Sequence, residues 1–160
     1  ILVTHDPHEA LAICDRVAVL RRGEIQQYST PFEMVSNPSN NFVGQFVLQK
    51  NILPIRYIHY SYSTSIGKLN LPSDTSLSST SVCMFDKNAI RIQACENENF
   101  TVISKEYRIN HYVYTVISDG IKLRSEMSLD TRLSIGDKCK VETIDEKSFV
   151  VLPENIKSKF

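Results

Sequence analysis

The sequence predicts two regions of different class: an α/β segment over residues 1–47, and an all-β, barrel-like unit over residues 51–153 with residues 154–160 as a tail. Three observations point there. Asp6-Pro7-His8-Glu9 and Thr30-Pro31-Phe32-Glu33 each place a capping side chain, a proline and a glutamate in the order a helix start demands. Beyond Asn51-Ile52-Leu53-Pro54 the chain turns to short runs of β-branched and aromatic residues, set apart by turn residues at near-even spacing. A length of 160 residues suits one ordinary domain or two small ones, and a hydrophobic share of 42% is enough to bury a core, which excludes a disordered chain.

Charge narrows the function classes. Eighteen Lys and Arg balance eighteen Asp and Glu, and the balance holds by parts, at −1 for residues 1–50 and +1 for 51–160. A dedicated binder of nucleic acid or anionic lipid usually shows a basic excess, so no nucleic-acid partner is expected. Apolar stretches such as Val17 to Leu20 and Phe46 to Leu48 fall far short of the roughly 18 residues of a membrane span, and no signal peptide is seen, so a soluble protein is expected. Cys14, Cys83, Cys95 and Cys139 are separated by 68, 11 and 43 residues. That spacing holds no C-x-x-C pair and reads as reduced thiols; because the count is even, disulfides in a secreted protein are the alternative.

Taken in order, Ile1-Leu2-Val3 reads as the second half of a buried strand that turns polar at Thr4-His5-Asp6. A helix follows from about Pro7 to Cys14, with Ala10, Leu11, Ile13 and Cys14 largely on one side. His5 therefore sits where a strand ends and a helix begins, the edge at which open α/β sheets bind ligands. Residues 16–20 read as a buried strand, Arg21-Arg22-Gly23-Glu24 as the turn, and Glu24 to Tyr28 as the returning strand. A short helix starts at Thr30-Pro31 and ends near Asn37-Pro38, and a last helix over residues 39–48 carries Phe42, Val43, Phe46 and Val47 as core. In the second region strands are expected at 55–62, 67–71, 82–85, 89–94, 100–109, 111–118, 121–127, 138–144 and 148–152. The loop over 72–81 is rich in Ser and Thr, and turns are expected at Asp86-Lys87-Asn88, Asp119-Gly120, Gly136-Asp137 and Asp145-Glu146-Lys147.

The motif order Val3-Thr4-His5-Asp6-x-x-Glu9-Ala10, Asp15-Arg16-Val17, Gly23-Glu24-Ile25, Thr30-Pro31 and Phe42-Val43 resembles the C-terminal end of the ATP-binding subunit of ABC importers, over nearly all of residues 1–47. The resemblance implies that His5 is the switch histidine, the catalytic and ATP-binding residue that contacts the γ-phosphate between two subunits. An imidazole suits that task, because it hydrogen-bonds a phosphate oxygen and orients the attacking water. A lone His after a strand is ordinarily a satisfied polar residue; the surrounding pattern reverses that reading. His8, three residues on, suggests a metal pair only in isolation and reads as helix surface, so no metal site is expected. Pro7 stands where such importers more often have Gln.

The second region resembles the transport-associated OB domain (TOBE) appended to importer ATPases, through Asn51-Ile52-Leu53-Pro54, Gly67-Lys68-Leu69, Ser118-Asp119-Gly120 and Leu133-Ser134-Ile135-Gly136-Asp137. Phe85-Asp86-Lys87 replaces the family's usual Arg-Pro-Glu. The fold class implied is thus the α/β end of a P-loop ATPase domain followed by an all-β OB-like barrel domain. His111, Tyr112 and Tyr114 resemble a base-stacking platform, with alternating core as the competing reading.

An ATPase also needs a phosphate-cradling Gly-rich loop and an apolar strand ending in Asp-Glu. Gly67-Lys68 is followed by Leu69 and has Tyr62 where the first Gly belongs; Ile144-Asp145-Glu146 follows Glu142 and Thr143, which break an apolar run; and no Gly-Gly pair occurs. The chain is therefore expected to be the C-terminal fragment of a subunit that uses ATP and Mg2+ when complete, inactive by itself. The resemblance implies a cytoplasmic location, peripheral on the inner face of the cell membrane. Its partners would be permease subunits, a second ATP-binding subunit in a homodimer and, indirectly, a periplasmic substrate-binding protein. The branch serves sugars, polyamines, sulfate and ferric iron, with ferric iron the favoured cargo. The competing class is a non-enzymatic OB-fold module for a small oxyanion or nucleic acid.

Overall fold

Local chemistry builds the first region. In the computed structural model, which describes residues 1–58, 61–69, 77, 81–144 and 149–152, Asp6 accepts the His8 amide at 2.9 Å and Pro7 opens helix α1, Pro7–Ile13. The reciprocal capping box is complete in α2, Pro31–Ser36: the Thr30 hydroxyl accepts the Glu33 amide and the Glu33 carboxylate accepts the Thr30 amide. Those bonds from Thr30 hold the Glu33 carboxyl below its ordinary range. Between the helices, β1 (Val17–Arg21) and β2 (Glu24–Ser29) pair as a hairpin whose two turn residues, Arg22 and Gly23, both have positive φ, at 52° and 82°. That is the type I′ geometry whose twist matches a hairpin.

Three expectations for this region change. Residues 1–3 form no strand and stand exposed, because among the described residues no neighbouring strand pairs with them. The β1 strand is buried only at Val19, since the hairpin has cover on one side alone. The expected last helix is a short helical stretch that widens into a π-helical turn over Val43–Val47, closed by the Leu48 amide on the Val43 carbonyl at 3.0 Å. Val43 is buried in it with Val19 and Met34, but Phe46 is 73% exposed and is not core.

The second region holds eleven described strands in three antiparallel sheets around one core. β3 (Asn51–Pro54) pairs with β7 (Val82–Phe85), and β7 with β13 (Val150–Leu152). A second, small meander links β4 (Arg56–Ile58), β5 (Ser61–Thr64) and β6 (Gly67–Leu69), so the single strand expected over 55–62 is divided. The five-stranded sheet runs β11-β10-β9-β12-β8, from Ile121–Met127, His111–Ser118, Phe100–Arg108, Lys138–Thr143 and Ile90–Ala94.

Its two outer strands approach each other, and the buried Ser125 hydroxyl of β11 donates to the Ile90 carbonyl of β8 at 2.9 Å. Side chains thus bridge where a closed barrel would use backbone pairs, so the unit is barrel-like without being one continuous sheet. Tyr114, Phe85, Leu53, Ile90, Ile92 and Leu123 fill the interior. The expected turn at 86–88 is a 3-10 turn over Lys87–Ala89, and Asp119-Gly120 makes the expected tight turn with φ of 49° and 78°. The expected turn at 145–147, most of the loop over 72–81, and the tail lie outside the described residues. Among those residues no helix is long and apolar enough to cross a membrane.

Candidate functional site

Two side chains frame His5 from its own backbone neighbours. The Thr4 hydroxyl accepts the Asp6 amide at 3.0 Å, and the Asp6 carboxylate accepts the His8 amide. These local bonds compete with any regular structure at residues 4–6 and fix a bend there. His5, at the bend, is exposed. It lines a cleft of about 310 Å³ whose other wall is apolar, with Leu11, Val19, Phe42, Phe46 and Val47.

The aromatic wall is ordered. Phe42 and Phe46 stack with centroids 5.2 Å apart and planes 13° off parallel, and the Arg21 guanidinium lies 4.5 Å over the Phe42 ring. The rings sit at positions i and i+4 of the helical stretch, and that spacing marks a shared face without telling whether the face is covered. Chemically, the cleft offers one imidazole able to donate to or accept from a polar ligand, beside an apolar wall that keeps part of the site dry. It offers no cradle for a polyphosphate.

The other sequence candidates separate. His8 is exposed, and among the described residues no group of three or more His, Cys, Asp or Glu side chains converges on a metal position. Tyr114 is fully buried and donates to the carbonyls of Thr131 and Leu133, both at 3.2 Å. Tyr112 packs edge-on between Tyr114 and the exposed Tyr107, with the Lys105 ammonium 4.2 Å above its ring. The aromatic row is therefore mostly core and cross-strand packing, and a stacking platform for bases is not favoured. All four cysteines are free; burial pushes the Cys83 thiol up to about 12, and burial with the nearby Asp137 carboxylate pushes Cys139 up to about 11.

No family model matches the chain. Among curated proteins, the chain is 30% identical over 151 residues to the Fe(3+) ions import ATP-binding protein of Streptomyces coelicolor, covering 94% of this chain and 43% of that protein. It is 41% identical over 73 residues to a sulfate/thiosulfate import ATP-binding protein of Shewanella oneidensis, covering 46% of the chain and 20% of the relative. It is 47% identical over 58 residues to the spermidine/putrescine import ATP-binding protein of Malacoplasma penetrans, covering 36% and 10%. The chain thus spans less than half the length of these relatives. All three are import ATP-binding proteins, the class that residues 1–47 resemble.

Proposed function

We propose that this chain is the C-terminal portion of the ATP-binding subunit that powers an ABC importer by ATP hydrolysis. The observation that carries the reading is His5, exposed on a bend held by Thr4 and Asp6 between the Val3 run and the capped α1. That is the placement the resemblance asks of a residue that must reach a phosphate oxygen of ATP.

His5 in this reading does two things. It hydrogen-bonds the γ-phosphate of the substrate ATP, and it orients the attacking water, so its contribution is felt in the transition state more than in binding. Among the described residues no group of three or more His, Cys, Asp or Glu side chains offers a magnesium site. The phosphate cradle is likewise absent from the sequence. The partners on this reading are permease subunits, a second ATP-binding subunit and, indirectly, a substrate-binding protein, at the cytoplasmic face of the membrane. Residues 51–153 are its transport-associated OB domain. Ferric iron is the favoured cargo on this reading, because one match that spans both regions is to a Fe(3+) ions import ATP-binding protein.

The test is His5→Ala in the ATP-hydrolysing subunit that contains this chain. Turnover falls about a hundredfold or more, as for loss of one oriented donor, while nucleotide affinity stays within a few-fold. Turnover within a few-fold of wild type makes His5 structural and overturns the assignment.

A further inference from the structure

Between the two regions the chain departs from its own local preference. After the π-helical turn the Lys50 amide returns to the Gly44 carbonyl at 2.9 Å, and the residue just before it, Gln49, has φ of 52°. A left-handed residue that ends a helix in this way is usually Gly, because a Cβ is strained there. Gln49 keeps its side chain and uses it. Its Oε1 accepts from Lys87 Nζ at 3.2 Å and from Arg124 Nη1 at 3.0 Å, and two cationic donors converging on one atom settle which end of the amide faces them. Arg124 continues to Glu106 at 3.2 Å.

The next two residues are also fastened. Lys50 has a side chain only 3% exposed, and its ammonium donates to both oxygens of Asp86, at 3.0 and 2.9 Å. Lysine is almost never buried without such a partner. Asn51 donates to the Arg124 carbonyl at 2.8 Å and accepts the Arg124 amide at 2.7 Å, so its side chain stands in for a strand neighbour on the outer edge of β11. On the near side Gly44 lies so close to Met84 of β7 that an added Cβ would overlap the Met84 sulfur.

We propose that residues 49–51 form a rigid splice that holds the α/β region and the β unit in one fixed orientation. Three consecutive side chains grip the β unit at two places: the 86–87 turn, through the Asp86 carboxylate and the Lys87 cation, and Arg124 of β11, through its guanidinium and its backbone. A flexible tether is built the opposite way, from Gly and Ser with no side chain held. The splice makes the cleft at His5 and the β unit one body, so a load on the β unit turns the cleft with it.

Limited trypsin digestion of the full chain, with fragments identified by mass, reads the splice at Lys50 itself. Wild type resists cleavage after Lys50, whereas Gln49→Gly and Asp86→Ala each speed it by about tenfold or more, because cleavage follows local opening. The sign for Gln49→Gly is diagnostic: an idle side chain would make Gly, which relieves the strained φ, neutral or protective. Amide exchange at Val116 and Leu123 tells local from global loosening, and if Asp86→Ala unfolds the whole chain, Gln49→Gly decides alone. In wild type, 15N relaxation gives one tumbling time for the amides of residues 17–29 and 100–127. Two tumbling times, or cleavage after Lys50 at the same rate in wild type and Gln49→Gly, overturn the proposal.

Discussion

Residues 1–47 and the β unit are similarly apolar in sequence but spend that character differently. The first region buries Val19, Met34 and Val43 as its own cluster while Ile13, Leu20, Ile25, Phe32 and Phe46 stand more than half exposed. The second gathers a single interior that runs through all three sheets, with Tyr114, Phe85 and Leu123 fully enclosed. I′ turns, at Arg22-Gly23 and at Asp119-Gly120, fix local shape in both, so turn signals do not distinguish them. What distinguishes them is long-range burial, and burial rather than propensity supplies most of the stability of a domain. The α/β region is thus shaped by local chemistry, while most of its large apolar side chains stay outside its own small cluster.

Paired truncations give the largest expected contrast. Leu123→Ala in β11 removes a fully buried side chain and costs about 3 kcal/mol, whereas Leu20→Ala, at a residue 62% exposed, changes stability by less than about 0.5 kcal/mol. Urea denaturation of the two variants checks this, and equal losses would erase the distinction between the regions. Asn51→Ala comes next. It strands the Arg124 amide and carbonyl at the edge of β11, and the expected loss is about 2 kcal/mol in the same assay.

An effect confined to alkaline pH follows from the thiols. Burial raises Cys83 to about 12 and Cys139 to about 11, above the ordinary thiol value near 9, so above that value the unfolded chain releases protons that the folded chain keeps. Fewer protons on the unfolded state means that stability, fully present below about pH 9, falls as pH rises toward 11 and 12. Stability measured against pH shows this slope, and Cys83→Ala makes it shallower. Alkylation at neutral pH sharpens the same comparison: Cys14 and Cys95, both partly exposed, react well before the buried pair.

Much of this was legible in the residues. Both helix starts, the Arg22-Gly23 and Asp119-Gly120 turns and the bounds of β7, β10 and β11 follow from capping, turn chemistry and β-branched runs, which act within a few residues. Ile1-Leu2-Val3 was misread as strand because a strand is completed by a neighbour, which no local pattern supplies. Phe46 was misread as core for the same reason. His5 was legible as a candidate through its motif, while the aromatic wall facing it was not. Gln49 carried no signal at all: its role rests on Lys87 and Arg124, 38 and 75 residues away.

The division between the regions is tested most directly by chemical denaturation with amide hydrogen exchange on two separate chains, residues 51–153 and residues 1–50. A single sigmoidal transition and protected amides in the cores of β10 and β11 are expected for 51–153, and neither for 1–50. A cooperative transition in 1–50, or none in 51–153, would contradict it.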